Sequence, residues 1–194
     1  MTLLSSLSHV IQLFDSFGIK YVVGGSLASS AWGQQRATQD ADLAILINSN
    51  QLELLIESLS WPYVIDQESL RSIVDRPDPF DSGQILNGET SDKIDLFLLR
   101  PDEYTFAQFE RARFFELGSG VPLRICSAED IIITKLRWFE LGNRVSDKQW
   151  NDIVQVLEMQ QGQLDESYMT HWAEHFGVIE LLQKAQTQVV KITD

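Results

Sequence analysis

Cysteine is almost absent. The chain of 194 residues has one, Cys126. A single thiol excludes an intrachain disulfide and suits a reducing compartment. Cys126 follows an apolar run, so it reads as a packed thiol and not as a nucleophile. Long hydrophobic runs are missing too, and none approaches the roughly 20 apolar residues of a membrane span. The N-terminus shows neither the basic stretch nor the cleavage site of an export signal. The expectation is therefore a cytoplasmic protein with no membrane partner. Basic residues are scarce: 15 Lys and Arg stand against 28 Asp and Glu, a net charge of −13. Proteins that grip long nucleic acid show a basic face. No basic cluster is present, which argues against an extended tRNA or DNA partner. An acidic field also repels phosphate, so a phosphate ligand needs a cation to enter. There is no His-Asp cluster and no G-x-G-x-x-G, which argues against a phosphohydrolase or a dinucleotide-binding enzyme.

What is there begins with a hydrophobic fraction of 44%, enough for a core without staples. The most informative stretch runs from Tyr21 to Ile47. Tyr21 to Val23 are apolar and mostly β-branched, as in a buried strand. Gly24 and Gly25 lack a Cβ, so the chain can turn sharply there and approach a ligand closely. Ser26 can cap a short helix ending near Gly33, and free N–H groups at a helix start attract phosphate. A polar loop follows and carries Arg36, whose guanidinium could brace carboxylates or contact phosphate. The next strand, residues 40–47, opens with Asp40-Ala41-Asp42. Residues two apart on a strand face one way, so both carboxylates share a face. Their mutual repulsion is what a divalent cation relieves.

Around this stretch the pattern alternates helices with short strands. Residues 2–17 carry Leu3, Leu7, Val10, Ile11, Phe14 and Phe17 at helical spacing, with Gly18 as the stop. His9 lies in this helix and reads as structural or solvated. A second helix is expected over residues 50–60, a short strand at 63–65 and a helix at 68–74. "DRPDPFDSG" is a loop, and its Asp75, Asp78 and Asp81 read as turn chemistry, not as metal ligands. Residues 84–86 and 93–99 flank "NGETSD" as a hairpin whose second strand carries Asp95 between Ile94 and Leu96. A carboxylate in such a strand is costly to bury without a partner, and a shared cation would supply one. Residues 101–115 read as a helix and 121–125 as a strand after a turn at Gly118 to Gly120. From Ser127 on, everything reads as helix. "SAED" has the form of a capping box, with Asp130 in place of the usual Glu. Asp147 and Asp152 read as cap and packing-edge residues, and Trp138, Trp150 and Trp172 as core or helix-interface aromatics. The expected organisation is an α/β core over residues 1–125 and a helical region over 126–194. The expected fold class is α+β (α/β): a small mixed sheet with flanking helices and an all-helical C-terminal region.

The order Gly-Gly-Ser, gap, D-x-D and then apolar residues resembles the nucleotidyltransferase superfamily related to DNA polymerase beta. Arg36, Thr38, Asp40 and Asp42 in "RATQDADL" match residues common in its small bacterial members, and Asp95 in "DKIDLFLL" matches their third carboxylate. "SAEDIIITKLRWFELGN" and "SDKQWNDI" are similar to the C-terminal helices of such proteins, with Lys135 part of the pattern. The resemblance implies transfer of a nucleoside monophosphate from a triphosphate such as ATP to an acceptor that it does not specify. It implies Asp40, Asp42 and Asp95 as catalytic metal ligands for two Mg²⁺ ions, with Mn²⁺ an alternative. Gly24, Gly25, Ser26, Arg36, Thr38 and Lys135 are the expected substrate-binding residues. Lys135 also reads as a solvated lysine. Two other functions stay open. One is a toxin-type nucleotidyltransferase with an antitoxin partner. The other is a non-catalytic nucleotide-sensing or protein-binding module on the same fold. An antitoxin or a second copy of the chain, as a homo-oligomer, is the protein partner left open.

Overall fold

A computed structural model of the chain describes residues 3–34, 38–75, 80–116 and 122–189. Arg36, Asp78, the turn at Gly118 to Gly120, and Val121 lie outside the described residues. The chain divides into two compact units. One comprises Met1–Leu27 and Ala37–Ile125, the other Ala28–Arg36 and Cys126–Asp194. The segment 28–36 thus groups with the C-terminal helices, a feature no local signal announced.

The first unit is built on a mixed sheet. Among the described residues its strands are β1 (Lys20–Val23), β2 (Asp40–Leu46), β3 (Tyr63–Ile65), β4 (Ser82–Asn87), β5 (Lys93–Leu98), β6 (Arg113–Phe115) and β7 (Leu123–Ile125). Their order is β3-β4-β5-β2-β1-β7-β6. β2 and β5 run parallel at the centre, as do β1 and β7, and the other pairs are antiparallel. Alternation along β2 and β5 sorts the side chains by face. Ala41, Leu43, Ile45, Ile94, Leu96 and Leu98 are buried on one side, while Asp40 and Asp42 look to the other. Helices α1 (Leu3–Phe17), α3 (Ser49–Ser58), α4 (Gln67–Val74) and α5 (Glu103–Arg111) also belong to this unit. Leu70 of α4 packs where Gly83 of β4 lacks a Cβ. Ser6 of α1 accepts a 3.0 Å hydrogen bond from the buried Asn87 amide of β4. These contacts put α1 and α4 over the apolar face.

Local signals explain most element ends. α1 closes at Gly18, whose φ is +65°. The Ile19 N–H then donates to Phe14 and the Gly18 N–H to Asp15, the two bonds of a Schellman stop. α3 opens with a reciprocal capping box between Asn48 and Gln51. Asp75 caps the end of α4 and accepts from the Ser49 hydroxyl. The helix expected over 101–115 is shorter than its pattern suggested: α5 ends at Arg111, and Arg113–Phe115 forms β6, paired antiparallel with β7. Tertiary pairing overrides local propensity there. Phe114, 71% exposed, gave no alternation signal to mark a strand.

The second unit holds α6 (Ala128–Leu141), α7 (Asp147–Met159), α8 (Glu166–His175) and α9 (Ile179–Gln188). α2 (Gly25–Trp32) starts in the first unit and ends in the second. The Trp32 indole N–H donates to the Cys126 carbonyl at 2.7 Å, and the Gln160 amide donates to the Trp32 carbonyl at 2.8 Å. Ser127 caps α6 through the Asp130 N–H, but the Asp130 carboxylate does not complete the expected box. Its oxygens instead accept the Ser127 and Tyr168 hydroxyls, each at 2.7 Å. Ser146, not Asp147, caps α7. Among the described residues no helix is long and apolar enough to cross a membrane.

Candidate active site

The polar face of the sheet carries the carboxylates. β2 and β5 are parallel and in register, with Asp40 beside Lys93 and Asp42 beside Asp95. On the other side of β5, Gln84 of β4 stands beside Asp95. Neighbouring strands lie roughly 4.8 Å apart, and in-register residues point to the same face. Asp40, Asp42 and Asp95 therefore share one face of the central strands. The D-x-D spacing fixes the first two. The third follows from the β2–β5 register.

Their environments differ. The Asp40 side chain is 57% exposed and that of Asp95 only 12%. One Asp95 oxygen accepts from the Lys93 ammonium at 2.9 Å. The other, Oδ1, is buried with no hydrogen-bond partner. A buried, unsatisfied carboxylate oxygen is costly, and such atoms call for an explanation. Lys93 also lies 3.9 Å from Asp40 Oδ1. Its hydrogen bond to Asp95, helped by the charges of Asp95, Asp40 and Asp42, holds the ammonium above its ordinary range. Sequence reading missed Lys93. The signal was present, because Lys93 and Asp95 are two apart on a strand and must share a face.

The Gly-Gly turn closes on the same spot. The Gly24 N–H donates to the Asp42 carbonyl at 2.8 Å, continuing the β1–β2 ladder. Gly25 has φ +54°, and a Cβ on it would fall 1.6 Å from Asp42 Oδ2. Only glycine lets the backbone run this close to the carboxylate. The helix begins at Gly25, so Ser26 sits inside its first turn and is not the cap residue. Thr38 braces the start of β2: its hydroxyl donates to the Asp40 carbonyl at 3.0 Å and accepts from the Asp40 N–H at 3.3 Å.

Lys135 lies in the helical unit and is 4% exposed. Its ammonium meets Asp152 Oδ2 and Gln149 Oε1, both at 2.9 Å. Asp152 is thus half of a buried ion pair and not a packing-edge residue.

The donor set that Asp40, Asp42 and Asp95 offer is hard oxygen, the kind Mg²⁺ takes. Among the described residues no three His, Cys, Asp or Glu side chains are gathered closely enough to hold a metal ion as they stand. The Lys93 ammonium lies against two of the three carboxylates.

Solved structures share this architecture. The antibiotic-resistance factor ANT(2'')-Ia matches with a TM-score of 0.58 and 15% identity, over 93% of this chain and 96% of that one. An antigenic nucleotidyltransferase-like protein from Paracoccidioides brasiliensis matches at 0.51 and 18% identity, covering 97% and 94%. The lincosamide antibiotic adenylyltransferase LnuA, bound to lincomycin, matches at 0.51 and 15% identity, covering 79% and 95%. The chain has the nucleotidyltransferase fold. Neither a protein-family model nor a curated protein matches the sequence.

Proposed function

We propose that this protein transfers a nucleoside monophosphate from a triphosphate to a hydroxyl of a small acceptor. The observation that carries this reading is the in-register pairing of Asp42 with Asp95, closed on one side by the backbone of Gly25. A carboxylate row beside a glycine turn at a helix start suits a metal-bound triphosphate, whose charge such N–H groups attract.

Asp40, Asp42 and Asp95 would hold Mg²⁺, for which Mn²⁺ would serve. The buried, unpartnered Oδ1 of Asp95 supports this fit, because it lacks what a cation supplies. Bound metal neutralises charge on the attacking and leaving oxygens of an in-line displacement. The residues of the chain do the rest. The N–H groups of Gly25 and Ser26 cradle the outer phosphates, while Gly24, whose own N–H is held by the Asp42 carbonyl, fixes the turn beside them. Thr38 keeps Asp40 at the head of its strand. Asp95 takes the proton of the acceptor hydroxyl as its oxygen bonds to the α-phosphorus and pyrophosphate departs. The structural neighbours ANT(2'')-Ia and LnuA are seen with adenylyl-2''-tobramycin and with lincomycin, which supports a small hydroxylated acceptor. The net charge of −13 favours a cationic acceptor over a polyanionic one.

A second reading has its own observation. A lysine neutralising the carboxylates is also what a non-catalytic nucleotide-binding module on this fold would carry. Incubation with labelled ATP, GTP, CTP or UTP, Mg²⁺ and a panel of hydroxylated acceptors, aminoglycosides included, separates the two. Labelled acceptor and released pyrophosphate are expected. Triphosphate binding by calorimetry without turnover across the panel would favour the module.

A further inference from the structure

Lys93 is the group in this cluster that the proposed reaction leaves unused. It opens β5, and its Nζ lies 2.9 Å from Asp95 and 3.9 Å from Asp40. We propose that Lys93 is a built-in counter-cation that competes with the divalent ion for Asp95, so that the free protein holds metal weakly and takes it up together with the triphosphate. The inference rests on the reading of the previous subsection.

Three features of the site argue for competition. Asp95 occupies a central strand between β2 and β4, where an uncompensated carboxylate is expensive. An ammonium is the cheapest remedy the chain itself can provide, but it satisfies one oxygen and leaves Oδ1 with nothing. The remedy is therefore partial, and a cation able to engage both oxygens has something to gain by displacing it. Second, the Lys93 side chain is 32% exposed and lies at a strand end, on a flexible four-carbon stem. The amine can leave Asp95 without unfolding anything. Third, charge makes the exchange conditional. With Lys93 in place the three carboxylates and the ammonium sum to −2, so an ion arriving alone meets a weaker field than three bare carboxylates would give and must also displace the amine from Asp95. An ion accompanied by a triphosphate is held more strongly, because the phosphates bring their own negative charge and give the displaced ammonium a new partner. Lys93 is in this sense a positioning residue that links metal entry to nucleotide entry. A ligand shifts such an equilibrium only through its different affinity for the two arrangements, and here the difference is the fate of one amine.

The test is metal binding to the full chain, read by Mn²⁺ electron paramagnetic resonance and by thermal melting, with no turnover required. Lys93→Met keeps the stem and removes the charge, and Lys93→Gln is a second variant that can still donate to Asp95. Wild type is expected to bind Mn²⁺ weakly alone and tightly with a non-hydrolysable triphosphate. Either variant is expected to bind Mn²⁺ alone about tenfold more tightly or better, because a nearby positive charge has gone. Its melting temperature in EDTA should fall below that of wild type and rise more on adding Mn²⁺. Lys93→Arg should behave as wild type. If both neutral variants bind Mn²⁺ no more tightly than wild type, while wild type still binds it with triphosphate, the Lys93 inference is overturned and the reading of the site survives. If no form binds Mn²⁺ even with triphosphate, both fall.

Discussion

Two lysine–aspartate pairs in this molecule have the same length and opposite characters. Lys93–Asp95 in the sheet unit and Lys135–Asp152 in the helical unit both measure 2.9 Å. The second is sealed, with side chains 6% and 7% exposed and Gln149 taking a further bond from the ammonium. The first is half open, at 32% and 12%, and leaves one carboxylate oxygen unanswered. Distance alone would rank them equal. Burial and completeness separate them, because a fully satisfied buried pair resists exchange and a half-satisfied one invites it. The sealed pair orders the packing of α6 on α7, and the open one sits where chemistry is proposed.

The contrast can be broken by mutation, and the largest effect belongs to the sealed pair. Lys135→Met strands a buried carboxylate and should cost ~3–5 kcal/mol by urea unfolding, much of it recovered when Asp152→Leu is added. A loss under 1 kcal/mol would mean the pair is hydrated and the contrast is false. Next comes the open site. Gly25→Ala drives a methyl into the Asp42 carboxylate from a backbone at positive φ, and a misplacement of this kind should lower transfer roughly 100-fold and also lower the melting temperature. Lys93→Met without metal should cost less than Lys135→Met, since solvent reaches the Lys93 ammonium and screens its pair. An equal loss at Lys93 and Lys135 would erase the distinction drawn from burial.

The smallest effect concerns Cys126, in the same unit as the sealed pair. Burial, and then the Asp130 charge, pushes its thiol well above the usual range. A folded-state value above the unfolded one gives stability that is complete below the unfolded value of about 8.5 and is lost as pH rises past it. Native protein at pH 8 should therefore resist alkylation by iodoacetamide, and unfolded protein should not. Rapid labelling of native protein would show that this region opens.

Which face of a strand a carboxylate takes was easier to read from the sequence than which strands pair. Asp40 and Asp42 were legible because a two-residue period is built into every strand. Asp95 was legible as a lone carboxylate amid apolar residues, although its neighbour on β2 depends on a register that no local signal encodes. Lys93 was legible by the same two-residue rule and was overlooked because a lysine at a strand start is commonplace. The partner of Lys135 was not legible, since Asp152 meets it only when α6 packs on α7. β6 was hidden for a similar reason, as its strand character comes from β7. The shared fold at 15–18% identity makes the same point, because topology persists where sequence likeness has faded.

The measurement closest to the central claim compares wild type with Asp42→Asn, given labelled triphosphate, Mg²⁺ and a hydroxylated acceptor that the wild type labels. The variant should keep its melting temperature and transfer no label. Undiminished transfer by Asp42→Asn would contradict the assignment of this carboxylate row as the seat of the reaction.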